Sequence, residues 1–137
     1  MKEPKFIIVD DNPTFRESLR FYLENILGYS VLAEFENGKE FLSGESYYEA
    51  DIILMDIEMP EMNGLDSIKL AQQDYQFVKA IAITSYEDRA YLDELLKMGF
   101  KGCVLKSEVF KQLEEAIAVV MKGKYYFPKN IKTTTNQ

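Results

Sequence analysis

Residues 6–13 read Phe6-Ile7-Ile8-Val9-Asp10-Asp11-Asn12-Pro13, and the plan of the fold is contained in that octet. Four consecutive apolar residues, without the alternation of a strand that has one wet face, describe a strand buried on both sides, as in a parallel sheet. Two aspartates close it. Asn12 then supplies a helix N-cap and Pro13 a first-turn proline, and Phe15, Leu19, Tyr22, Leu23 and Ile26 follow at helical spacing up to Gly28. Strand, acidic turn and helix make one βα unit.

The unit recurs along the chain. Ser30 to Phe35 is the second strand, followed by a turn at Asn37-Gly38 and a short helix from Lys39 to about Ser43. Ile52 to Met55 is the third; after it come a polar loop with Met59-Pro60 and Asn63-Gly64, and a helix with Leu65, Ile68 and Ala71 on one face. Val78 to Ile83 is the fourth strand, and the helix marked by Tyr91, Leu92, Leu95 and Leu96 stops at Gly99. Gly102 to Leu105 is the fifth, before a last amphipathic helix through Val109, Phe110, Leu113, Ile117 and Val120, with Ser107 as its expected cap. Strands alternating with helices of this length predict a three-layer α/β/α sandwich.

At 137 residues and 15.9 kDa the chain is expected to form one domain, with no room for a second catalytic or DNA-binding domain. Hydrophobic residues make up 47% and charged residues 28%, neither a disordered nor a membrane-embedded composition. The first apolar stretch is too short for a signal peptide, and a single cysteine, Cys103, agrees with a reducing compartment; a cytoplasmic protein is expected. The absence of histidine excludes Ser-His-Asp and Cys-His catalysis and His-bearing zinc sites. A formal net charge of −7 disfavours direct binding to nucleic acid or to an anionic membrane.

In open parallel sheets, ligands bind beyond the carboxyl ends of the strands, where strand order reverses. If the order is 2-1-3-4-5, the strand ends carry Asp10-Asp11, Asp56, Thr84-Ser85 and Lys106 to one rim. Two like charges 4 Å apart repel by about 4 kcal/mol at an effective dielectric of 20, so three aspartates there need a cation. Oxygen ligands without thiolate or imidazole suit Mg²⁺ (or Mn²⁺). Lys106 adds a point charge suited to a phosphoryl oxygen. Carboxylates, a hydroxyl and a lysine without a histidine base fit phosphoryl transfer better than acyl transfer, with Asp56, on the middle strand, the best-placed nucleophile.

Four ordered motifs, Ile8-Val9-Asp10-Asp11, Leu54 through Gly64, Ile83-Thr84-Ser85 and Val104-Leu105-Lys106, resemble the receiver domain of two-component response regulators, over about residues 4 to 122. The resemblance implies a flavodoxin-like (βα)5 fold with sheet order 2-1-3-4-5, a receiver over residues 1–122 and a C-terminal linker or tail over 123–137. It implies that Asp56 accepts phosphate from a phosphohistidine on a sensor histidine kinase. It also implies that Asp11, Asp56 and the backbone carbonyl of Glu58 bind Mg²⁺, with Asp10 supporting the ion through water, and that Thr84 and Lys106 hold the phosphoryl group. Such a domain is a signalling module rather than an enzyme, able to form a homodimer on phosphorylation and to reach DNA only through an output domain.

The chain departs from the family pattern in three places. Ser107 follows the lysine where proline is frequent, as in receivers that precede a LuxR-type helix-turn-helix; Cys103 stands where many carry a switch tyrosine or phenylalanine; Ser85 replaces a common alanine. Two other readings of the rim are an aspartate-nucleophile phosphatase, although Asp10-Asp11-Asn12 lacks its usual aspartate spacing, and a non-phosphorylated interaction module or flavin carrier. Apart from the rim, Cys103 reads as a small buried hydrophobe, Met55, Met59 and Met62 as packing residues, and Tyr47-Tyr48 as half-buried edge residues.

Overall fold

The computed structural model describes residues 3–57, 63–85 and 89–127. Its strands are β1 (Lys5–Val9), β2 (Ser30–Phe35), β3 (Ile52–Asp56), β4 (Ala80–Thr84) and β5 (Gly102–Leu105). They alternate with helices α1 (Pro13–Phe21), α2 (Gly38–Gly44), α3 (Gly64–Asp74), α4 (Arg89–Lys97) and α5 (Val109–Met121). All neighbouring strands are parallel, in the order β2-β1-β3-β4-β5. This is the α/β sandwich predicted from the apolar runs.

Side-chain alternation along the strands divides the core in two. Phe6 and Ile8 of β1, Ile52 and Leu54 of β3, and Ile81 and Ile83 of β4 pack with Leu19, Leu113 and Ile117 of α1 and α5. Ile7, Val9, Ile53, Met55, Ala80 and Ala82 pack on the opposite face against Phe41, Ile68, Leu92 and Leu95 of α2, α3 and α4. Burial on both faces explains the apolar runs of β1, β3, β4 and β5, where each enclosed isoleucine or leucine contributes about 1.5–3 kcal/mol, whereas the edge strand β2 carries Ser30 and Glu34.

Three helices begin on an asparagine. The side-chain oxygens of Asn12, Asn37 and Asn63 accept hydrogen bonds from the backbone N–H groups of Phe15, Glu40 and Asp66, which satisfies donors that the first turn leaves unpaired. Asn37-Gly38 is therefore the start of α2 rather than a free turn. Ser107 does not cap α5. It lies in a 3-10 turn, Lys106–Glu108, and the residue before α5 is Glu108, which makes no side-chain capping bond.

Other boundaries also shift from expectation. The first helix widens into a π turn over Tyr22–Ile26 and ends at Gly28, at φ 77°. Val78 is buried but precedes β4, which starts at Ala80. Tyr47 is buried while Tyr48 is exposed, so the pair divides between core and surface. Met55 is a core residue, and Cys103, fully buried against the α3–α4 side, has its thiol pushed up to about 12 by burial. Met59 and Met62 lie outside the described residues.

Beyond α5 the chain returns to the sheet. Tyr126 bridges Gly102 in parallel; its N–H donates to the Lys101 carbonyl at 3.0 Å, and its own carbonyl accepts from the Cys103 N–H at 2.9 Å. A Cβ on Gly102 would lie 3.2 Å from that Tyr126 oxygen, so the absence of a side chain at position 102 lets the returning backbone approach.

Candidate functional site

Strand register assembles the site. Val9 stands opposite Met55, so the next residues, Asp10 and Asp56, emerge level with each other at the carboxyl edge. Asp56 pairs with Ile83 and Thr84 with Leu105, which sets Thr84 and then Lys106 along the same rim. Alternation turns Asp10 and Asp56 toward the α1–α5 layer, on the parity of Ile8 and Leu54.

Carboxylate oxygens of Asp10, Asp11 and Asp56 all lie within 4.8 Å of one another. Asp10 and Asp56 are buried, at 1% and 3% exposure, whereas Asp11 faces solvent. Lys106 Nζ lies 3.3 Å from Asp10 Oδ2 and 3.8 Å from Asp56 Oδ2, with its side chain about one third exposed. Thr84 is buried at the end of β4. Glu58, expected to offer a backbone carbonyl, lies outside the described residues.

Burial pushes the Asp10 carboxyl above the usual carboxylate range. The Asn12 N–H and the Lys106 ammonium draw it back down, and the neighbouring Asp11 charge raises it. Among the described residues, two buried carboxylates and a third beside them share one ammonium between two of the three, and form a pocket short of positive charge. Oxygen donors at this spacing can hold a divalent cation.

Several supporting residues were not marked by the sequence. Asn12 serves twice: besides capping α1, its N–H donates to Asp10 Oδ1 at 2.8 Å. Arg16, one turn into α1, donates through Nη1 to the Asp10 carbonyl at 2.7 Å and pairs with Glu34 of β2. Arg20 also reaches Glu34. Phe15 places its ring 4.7 Å from Lys106 Nζ. A helix-facing arginine or phenylalanine carries no sequence signal for such contacts, because its partners come from other strands. Gly64 does carry one, as the second residue of Asn63-Gly64, since its N–H donates to the Ile57 carbonyl just past Asp56.

A family model described as the response regulator receiver domain matches residues 6–118. Among curated proteins, the chain is 34% identical over 126 residues to the transcriptional regulatory protein DegU of Brevibacillus brevis, which covers 91% of this chain and 53% of DegU. The chain spans little more than half the length of the curated relatives it matches first. Among solved structures, it is similar to a LuxR-family two-component response regulator from Aurantimonas sp. SI85-9A1, with TM-score 0.87 and 25% identity over 95% of this chain and 93% of the other. It is also similar to the isolated receiver domain of RcsB from Salmonella enterica serovar Typhimurium, solved with the phosphomimetic BeF3-, with TM-score 0.84 and 27% identity over 95% and 96% of the two chains. The matched stretch runs from Phe6 in β1 through β5 and takes in the whole acidic rim, and the chain belongs to the response regulator receiver domain family.

Proposed function

We propose that this chain is a phosphorylation-operated signalling module in which Asp56 accepts a phosphoryl group from a histidine kinase. The observation that carries the reading is the position of Asp56: buried at the end of β3, 3.8 Å from Lys106 Nζ and grouped with Asp10 and Asp11. A carboxylate oxygen of Asp56 attacks phosphorus, the phosphorus–nitrogen bond of the donor breaks, and the imidazole leaves with that electron pair and takes a proton from water. Mg²⁺, held by Asp11, Asp56 and the Glu58 carbonyl with Asp10 behind, would neutralise charge on the carboxylates and on the transferring group.

Lys106 and Thr84 then meet the new phosphoryl oxygens, and the surface of the fourth and fifth βα units shifts between two populations. Support comes from the relatives: the RcsB receiver has been studied with a phosphate mimic, and DegU is a transcriptional regulatory protein. Residues 1–122 act as the phosphoacceptor unit and residues 123–137 as its exit toward an output domain or partner, with transcription the controlled process. Homodimerisation on phosphorylation and a cytoplasmic location belong to the same reading. Among the described residues no helix is long and apolar enough to cross a membrane.

The test is incubation with acetyl phosphate and Mg²⁺, read by intact mass. One added phosphoryl group that is lost in base, and absent from Asp56→Asn, is expected. No addition to the parent chain, or addition that persists in Asp56→Asn, overturns the reading.

A further inference from the structure

Among the described residues, Lys106 is approached from three sides. Two are the carboxylates of Asp10 and Asp56; the third is the ring of Phe15 from α1, whose centre lies 4.7 Å from Nζ. An ammonium within about 6 Å of an aromatic centroid is attracted by the negative face of the ring. This contact differs in kind from the other two. The separation from Asp56 exceeds the span of about 2.7–3.2 Å over which an N–H donor forms a directional hydrogen bond, so Lys106 is drawn toward the nucleophile without being locked to it.

The Phe15 ring is itself held. Its centroid lies 6.3 Å from that of Phe110 in α5, tilted by 49°. Phe110 in turn meets Tyr22 edge-on at 5.2 Å, and the Tyr22 hydroxyl donates to the Phe110 carbonyl at 3.3 Å. Three rings from two helices thus build a wall along one side of the lysine.

We infer that Phe15 is a positioning residue for Lys106: its π face holds the ammonium at the mouth of the acidic pocket and lets it slide from the carboxylates to an incoming phosphoryl oxygen. A lysine stem has many rotamers, and a ring face restricts them without imposing one donor direction. Because the ring leans on Phe110, movement of Lys106 is felt in the packing of α1 on α5. The inference rests on the reading of Asp56 as phosphoacceptor.

The experiment has two readouts. The first is the ¹H shift of the Lys106 side-chain methylenes, assigned by their disappearance in Lys106→Ala and recorded without any phosphoryl donor. Ring-current displacement relative to the other lysines is expected in the parent chain and in Phe15→Tyr, and its loss in Phe15→Leu, which keeps apolar volume but removes the π face. The second is the rate of Asp56 phosphorylation by acetyl phosphate. It should fall about twofold to fivefold in Phe15→Leu, the factor that a cation–π contact at a partly exposed site carries, and return in Phe15→Tyr. Unchanged Lys106 shifts in Phe15→Leu, or a parent-like rate once the shift is lost, overturns the inference. If the parent chain takes up no phosphoryl group at Asp56, the phosphoacceptor reading falls, and the donor-free shift comparison still decides whether Phe15 holds Lys106.

Discussion

A Cβ at position 64 would stand 2.6 Å from the carbonyl oxygen of Asp56, and 2.7 Å from Met55 Cγ. The start of α3 thus lies directly against the backbone of the proposed phosphoacceptor, at a distance open to glycine alone.

Gly64→Ala is accordingly expected to push α3 away from the end of β3. The clash is with backbone, which cannot rotate aside, so a loss of about 1–3 kcal/mol, the usual range for overpacking, should appear in the urea midpoint. The phosphorylation rate of Asp56 should fall with it. A variant with parent-like stability and rate would show that this approach does not position Asp56.

Divalent cation should stabilise the fold through the acidic pocket. A ligand that binds only the folded state adds about 2.7 kcal/mol at a hundredfold excess over its dissociation constant. The melting temperature should therefore rise as Mg²⁺ is added, and the rise should disappear in Asp11→Ala. Lys106→Ala should keep the rise or enlarge it, since an ammonium repels rather than ligates a cation. Equal stabilisation of the parent and Asp11→Ala would place the ion elsewhere.

Acid should weaken a contact far from this pocket. The Tyr48 and Tyr47 hydroxyls both donate to Asp74 Oδ2 at the end of α3 and hold that carboxyl below its usual range. A carboxyl with a lowered folded-state pKa contributes stability that is present above its ordinary value of about 3.9 and is lost as pH falls through the folded value. The Tyr48 hydroxyl, raised to about 12 chiefly by the bond to Asp74, gives the opposite arm: its contribution is present below about 10 and lost as pH rises further. Urea midpoints of the Tyr48→Phe variant should consequently fall less steeply than those of the parent below about pH 4. Parallel curves would remove Asp74 from the account.

Removal of residues 123–137 should uncover the edge of β5. Two hydrogen bonds join Tyr126 to Lys101 and Cys103, each worth about 0.5–1.5 kcal/mol net. Truncation should cost about 1–3 kcal/mol on that basis, and the Cys103 amide should exchange with deuterium at least about tenfold faster than in the full chain. Unchanged protection of that amide would show that the pairing with Tyr126 is not maintained in solution.

Most of the βα order could be read locally, because apolar runs such as Ile52 to Met55 and helical spacings such as Val109 to Val120 are properties of neighbouring residues. Helix boundaries were less legible. Asn37 carries only a turn signal in the sequence, because its capping partner, the N–H of Glu40, exists only once the helix has formed. Ser107 was expected to cap α5, but the chain leaves β5 through a 3-10 turn that consumes it. The acidic rim could be anticipated because strand ends of a parallel sheet share one edge, whereas Arg16 and Phe15 could not, since their partners at the site come from other elements.

Composition and periodicity by themselves determined that this chain alternates buried strands with amphipathic helices and that the strand ends carry carboxylates, a hydroxyl and a lysine with no histidine among them, because those are facts of residue type and local spacing. Register and helix packing alone decided that Asp10 stands level with Asp56, that Lys106 is shared between them, and that Phe15 covers the lysine. Such juxtapositions depend on how distant segments are hydrogen-bonded and pressed together, and no local pattern encodes a distance between them.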